Sequence, residues 1–256
     1  MRIPLIAASI AMLAGLAMSG TANAETKSAT TGLPAVLTKN TIYRSGAPSP
    51  LSCAVPGIRA GSTTSLKTFH RAMAKCANRF WAARFRAAGL RYAAPRLTIT
   101  TGRTSVCGRI TANGAQYCPA QRTIVIRVMK RDLRDPFRMN IAHSVAHEWG
   151  HHVQELTGIL DAQNTLSWRA GTKARTTLSH RLEMQAECFA GTFYRATLDS
   201  VNPGITWEQW LRAIRQATES KAHGKSGNLA YWQNRGYRGA SARFCNTWTA
   251  PNVRVA

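Results

Sequence analysis

Residues 144–158 read SVAHEWGHHVQELTG, and at their centre His147, Glu148 and His151 form an H-E-x-x-H. With 7 His among 256 residues, and as many Glu, chance would place that pattern in roughly one such chain in two hundred. On a helix, positions i and i+4 share a face, so His147 and His151 can turn an imidazole nitrogen each to one metal ion. Glu148 is displaced around the helix, where it reaches a metal-held water rather than the metal. Zinc lowers the pKa of such a water toward neutrality, and a carboxylate beside it can take the proton during attack on a carbonyl. The flanks predict the helix: Ile141, Ala142, Val145, Ala146 and Val153 make an apolar stripe, with Asn140 a candidate N-cap and Gly158 a candidate stop.

A catalytic zinc takes three protein ligands and keeps a fourth position open. Only 11 acidic residues are present, and two of them, Glu183 and Glu187, fall at i, i+4 in the run RLEMQAECFAG. One carboxylate can ligate the metal while the other orients a ligand histidine through its far ring nitrogen. His143 and His180 are alternative third ligands, and His152 points away from the pair.

Residues 1–24 combine Arg2, a short apolar run and Ala22-Asn23-Ala24. That is the layout of a signal peptide cut near Ala24, so the expected location is secreted or cell-envelope. No later stretch is long and apolar enough to cross a bilayer, so the processed chain is not expected to be an integral membrane protein. Residues 25–64, rich in Ser, Thr, Gly and Pro, read as a flexible leader tied down near Cys53, and residues 65–256 as one domain. Within it, helical periodicity covers 65–89, a second long helix spans 178–198, and TWEQWLRAIRQATES starts with a capping box at Thr206 and Gln209. RLTITTG and RTIVIRV are β-branched runs and predict two strands. The stretch before 178 reads as a polar connection and the segment after 226 as a Gly-rich, aromatic tail.

Six cysteines, Cys53, Cys76, Cys107, Cys118, Cys188 and Cys245, form an even set without a C-x-x-C, which favours three disulfides in an exported chain. Cys107 and Cys118 flank a turn-rich loop and can close it locally; the sequence does not fix the other pairings. A formal charge of +23 would concentrate the protein near polyanions, anionic cell-wall polymers among them. The basic residues are spread along the chain with no nucleic-acid-binding signature, so specific nucleic-acid binding is not expected.

VAHEWGHHVQELTG followed by RLEMQAECFAG resembles the neutral zinc metallopeptidases of bacteria, whose pattern is AHExGHHVQ…G and then E-L-Q-A-D-C-[FY]-A-G. The resemblance runs on through Trp81, Phe85, Tyr92, Pro95 and Leu97, through Cys107-Gly108 and Tyr117-Cys118-Pro119. It continues through His223-Gly224, Tyr231-Trp232, Gly236-Tyr237 and Cys245-Asn246-Thr247. It implies an α+β, zincin-like fold, mostly helical, with a small antiparallel or mixed sheet over the active helix. It implies Zn2+ held by His147, His151 and Glu183, with Glu148 as catalytic base and a polypeptide as substrate. Glu187 stands where the family has Asp, a side chain one methylene longer. The shared cysteines imply a Cys188–Cys245 disulfide that holds His223 and the aromatic tail near the site.

Oxyanion stabilisation beyond the metal needs a donor such as His223, Tyr231 or Tyr194, and the resemblance runs through His223. An extended peptide is expected along RTIVIRV, taken as an edge strand. The leading expectation is an exported zinc endopeptidase. Alternatives are a wall-associated zinc amidase, or a basic wall-binding protein with a structural or inactive zinc site. Glu148 argues against the last, since a structural zinc needs no base beside it.

Overall fold

The computed structural model describes residues 32–110, 114–202, 204–217 and 219–256; the signal peptide read at residues 1–24 lies outside them. The fold is α+β, and two long helices are its axis. α4 (Arg138–Leu156) carries HEWGHH and α6 (Thr172–Val201) carries the carboxylate pair. α2 (Thr63–Ala87), capped by Ser62 accepting from the Ser65 amide, closes the core from a third side. Phe80 and Trp81 of α2 meet Phe193 and Phe189 of α6 edge-to-face, at 5.4 Å between centroids in both pairs. Such buried aromatic pairs add about 0.5–1.5 kcal/mol beyond the area that they remove from water.

The two expected strands form, as β1 (Arg96–Thr100) and β5 (Thr123–Arg127), and they pair in parallel. Two short strands, β2 (Thr104–Ser105) and β3 (Gly108–Arg109), make a separate hairpin, and β4 (Ala115–Cys118) completes the main sheet in the order β1-β5-β4. β4 runs antiparallel to β5, so the sheet is mixed. RTIVIRV is therefore the central strand and not an edge: both of its sides are occupied, which corrects the expectation that it receives an extended peptide. Its continuous β-branched run fits this position, because a central strand is buried on both faces.

α4 lies under this sheet, and His152 fastens the two together. Its Nδ1 is 2.9 Å from the Tyr117 hydroxyl of β4, and its Nε2 is 2.8 Å from the Ala93 carbonyl. α4 begins at Arg138 rather than after Asn140. The Arg138 guanidinium donates to the carbonyls of Val201, Val55 and Pro56, so tertiary contacts set the helix start where a capping side chain was expected. After Gly158, in the left-handed region at φ 73°, the chain turns straight into α5 (Ile159–Arg169) instead of a polar connection. α3 (Lys130–Arg134) is a short turn of helix before α4.

α7 (Trp207–Arg215) starts with the expected capping box, Thr206 and Gln209 satisfying one another's amides. The Gly-rich tail is helical as α8 (Ser226–Gly239), which packs along α6. Of the flexible leader expected at residues 25–64, residues 25–31 lie outside the described ones, and from residue 32 on the chain is packed down. Beginning with α1 (Ala35–Thr38), this stretch buries Leu37 and Ile42 completely, and Asn40 donates to the Thr157 carbonyl at 3.0 Å. Single anchoring residues without periodicity hold it down, which is why composition alone misreads it. Three disulfides are present: Cys53–Cys76 pins that stretch to α2, Cys107–Cys118 closes the local loop, and Cys188–Cys245 ties α6 to the tail. Among the described residues, no helix is long and apolar enough to cross a membrane.

Candidate metal centre

Glycines decide how close the site's helices come. A Cβ on Gly150 would lie 2.8 Å from the Ala186 Cα, so α4 and α6 cross with backbone nearly in contact. His147 and Glu183 stand about one turn before that crossing, and His151 and Glu187 come immediately after it. α8 docks on the other side of α6 in the same way. A Cβ on Gly191 would lie 2.1 Å from the Gln233 carbonyl oxygen, and one on Gly236 would lie 2.0 Å from that of Cys188. Neither position accepts a side chain without the helices parting.

Three atoms converge in the space so formed. His147 Nε2 and His151 Nε2 are 3.1 Å apart, and Glu183 Oε2 is 3.2 Å from the first and 3.5 Å from the second. Ligand atoms on a tetrahedral zinc, at about 2.0–2.1 Å each, stand ~3.4 Å from one another. Hydrogen bonding on the outer side of the rings leaves the neutral imidazoles with no proton to place in the gap. Gln154 donates its amide to the Leu182 backbone carbonyl and to the Gln185 side-chain oxygen, at 2.7 and 3.1 Å, so its Oε1 must face His151 Nδ1, 2.9 Å away. That oxygen only accepts, so His151 carries its proton on Nδ1 and its lone pair on Nε2. On His147 the Nδ1 lies 2.9 Å from Glu187 Oε1, a contact that falls short of an aligned hydrogen bond but calls for the same tautomer.

Two lone pairs and a buried carboxylate oxygen without a hydrogen-bond partner thus point at one another. With the rings neutral, only acceptors meet there, an arrangement that calls for a positive charge, and the His/Glu donor set suits zinc. The electrostatics make the same demand. Burial opposes protonation of His147, but Glu183 and Glu187 outweigh it and raise its pKa well above the ordinary value. For Glu183, burial acts to raise the pKa, while His151 and His147 prevail and hold it far below the usual carboxylate range.

Glu148 is buried at 6 % exposure, and burial pushes its carboxyl up despite the pull of His147 and His151. His223, on the connection between α7 and α8, places Nε2 3.5 Å from Glu183 Oε2 and Nδ1 3.0 Å from the Ser220 hydroxyl. Burial lowers its pKa, so the ring is neutral near pH 7. It can join His147 and Glu183 as a second possible ligand set.

The other sequence candidates separate cleanly. His143 faces Glu187 at 3.3 Å on the far side of His147. His180 Nε2 is 2.9 Å from the Lys221 carbonyl and so anchors the connection that bears His223. Tyr194 is fully buried beneath the site, its hydroxyl without a partner, and Tyr231 packs under Arg254 of the C-terminal tail. Sequence reasoning overlooked Gln154 and Gln233. Gln154 is three residues from His151 on the same helix, a spacing that does signal a partner; Gln233 lies in a segment with no such signal.

The whole arrangement falls in a recognisable family. A model of the family described as "Putative neutral zinc metallopeptidase" matches residues 43–206. The uncharacterized protein YpfJ of Escherichia coli strain K12 is 30% identical over 190 residues, 66% of each chain. The uncharacterized protein Rv2575 of Mycobacterium tuberculosis strain H37Rv is 27% identical over 198 residues, 63% of this chain and 65% of its own. The chain thus spans about two-thirds of the length of the relatives that it matches. No solved structure matches it. With its model covering α2 to the start of α7, including both helices of the metal centre, the neutral zinc metallopeptidase family is the one to which this chain belongs.

Proposed function

We propose that this chain is an exported zinc-dependent endopeptidase in which His147, His151 and Glu183 hold the metal and Glu148 is the general base. The observation that carries the reading is the convergence of Nε2 of His147, Nε2 of His151 and Oε2 of Glu183 at the separations that a tetrahedral zinc sets. Zinc, when bound, would supply Lewis acidity to a water and to the scissile carbonyl. Glu148 takes the proton of the attacking water and returns it to the leaving nitrogen; its burial, which raises its pKa, suits a group that must both accept and donate near neutrality. His223, neutral and reaching in from the rim, donates to the developing oxyanion. Disulfides fit an oxidising, extracytoplasmic compartment.

The test is cleavage of an unfolded protein by the 25–256 form, with chelator and then with zinc restored. Cleavage should stop and return accordingly. Glu148→Gln should keep its zinc and lose turnover by roughly 10²–10⁴-fold, the usual worth of a positioned acid–base group. A folded, zinc-loaded protein that cleaves nothing would end the endopeptidase reading.

A further inference from the structure

On the far side of His147, Glu187 is itself held by a residue outside the family's metal motif. Gln233 of α8 is fully buried; its Nε2 donates to Glu187 Oε2 and lies 3.4 Å from both ring nitrogens of His143. A carboxamide can face either way, but here one neighbour decides. Trp210 of α7 donates its indole N–H to Gln233 Oε1 at 2.8 Å, and an indole nitrogen can only donate. The Gln233 oxygen therefore faces Trp210 and its NH2 faces Glu187. The other oxygen, Oε1, which only accepts, then faces two rings: His143 Nε2 at 3.3 Å and, in a closer but less aligned contact, His147 Nδ1 at 2.9 Å.

We infer that Trp210 and Gln233 are positioning residues for the metal centre: through Glu187 they hold His147 with its proton on Nδ1 and its lone pair on Nε2, toward Glu183 and His151. The inference rests on the proposed role of His147 as a ligand. It also explains how the extra methylene of Glu187 is accommodated, since the longer carboxylate reaches back into a pocket that Gln233 and His143 line. A rival use of the same groups is a second cation site, because His143, His147 and Glu187 bring ligand atoms within 4.8 Å of one another. The amide hydrogens of Gln233 point into that space and would face the cation. One metal per chain is the consequence.

Zinc dissociation constants of the full processed chain, measured by chelator competition, test this in the wild type, Gln233→Leu and Trp210→Phe. The urea midpoint of each metal-free protein is measured beside them. Outer partners of ligand histidines are worth roughly 10–100-fold in metal affinity. Gln233→Leu should weaken zinc binding within that range. Trp210→Phe keeps an aromatic ring but frees the amide to turn, and should weaken binding several-fold with the metal-free midpoint little changed; it remains decisive if Gln233→Leu does not fold. Zinc affinity unchanged in the folded variants, or two zinc ions per wild-type chain, would overturn the inference. A wild-type chain that binds no zinc would instead remove the ligand role of His147, and this inference with it.

Discussion

Below His147 the site rests on α4, α6 and α8, which touch backbone to backbone at Gly150, Gly191 and Gly236. Above it, His223 is presented by the connection between α7 and α8, held by the Ser220 hydroxyl and by His180 on the Lys221 carbonyl. The floor is held by helix axes that cannot part without cost and by buried hydrogen bonds that orient the side chains between them. The rim depends on a few hydrogen bonds near solvent, each worth about 0.5–1.5 kcal/mol net. Metal binding and turnover should therefore come apart under mutation, the first answering to the floor and the second to the rim.

Gly191→Ala puts the largest strain on that contrast. The added methyl group would sit 2.1 Å from the Gln233 carbonyl oxygen, so α6 and α8 must separate. A loss of roughly 3 kcal/mol in urea unfolding is expected, with weakened zinc binding in whatever folds. An unchanged midpoint would mean that the floor yields more easily than its geometry implies. At the rim, His223→Ala should cost about 10²-fold in turnover, the loss typical of one oxyanion donor, with zinc content intact. Zinc lost along with turnover would instead make His223 a ligand and erase the distinction. The smallest effect is expected for Ser220→Ala, which frees the His223 ring without removing it. Turnover should fall by no more than about tenfold, and urea stability should hold.

The residues that could be read in advance are those whose partners lie close in sequence or repeat at a helical spacing. His147 with His151, Glu183 with Glu187, the Thr206 capping box and the Cys107–Cys118 loop are all of this kind. α8 was hidden because the glycine that admits it to α6, Gly236, is also a residue that lowers helix propensity, by about 1 kcal/mol against Ala. The central place of β5 was hidden because strand order is decided by β4 and β1, and a run of Ile and Val does not say whether it has one neighbour or two. Gln233 could not be found at all from its surroundings in sequence. Its function exists only once Trp210 and Glu187 are beside it, and each arrives on a different helix.

The bond between Glu187 and Gln233 spans 46 residues, and this has a bearing on the order in which the molecule can be finished. As the chain is synthesised, α4 and α6 are complete before α8 has emerged. During that interval a carboxylate and two imidazoles line a seam whose lid has not yet been made, and the glycine groove of α6 is open to any other helix. Closing it must await α8, so a segment made after both zinc-motif helices completes the centre of the molecule. A chain cut short before α8 would keep every residue of the zinc motif and lack the surface against which they are set.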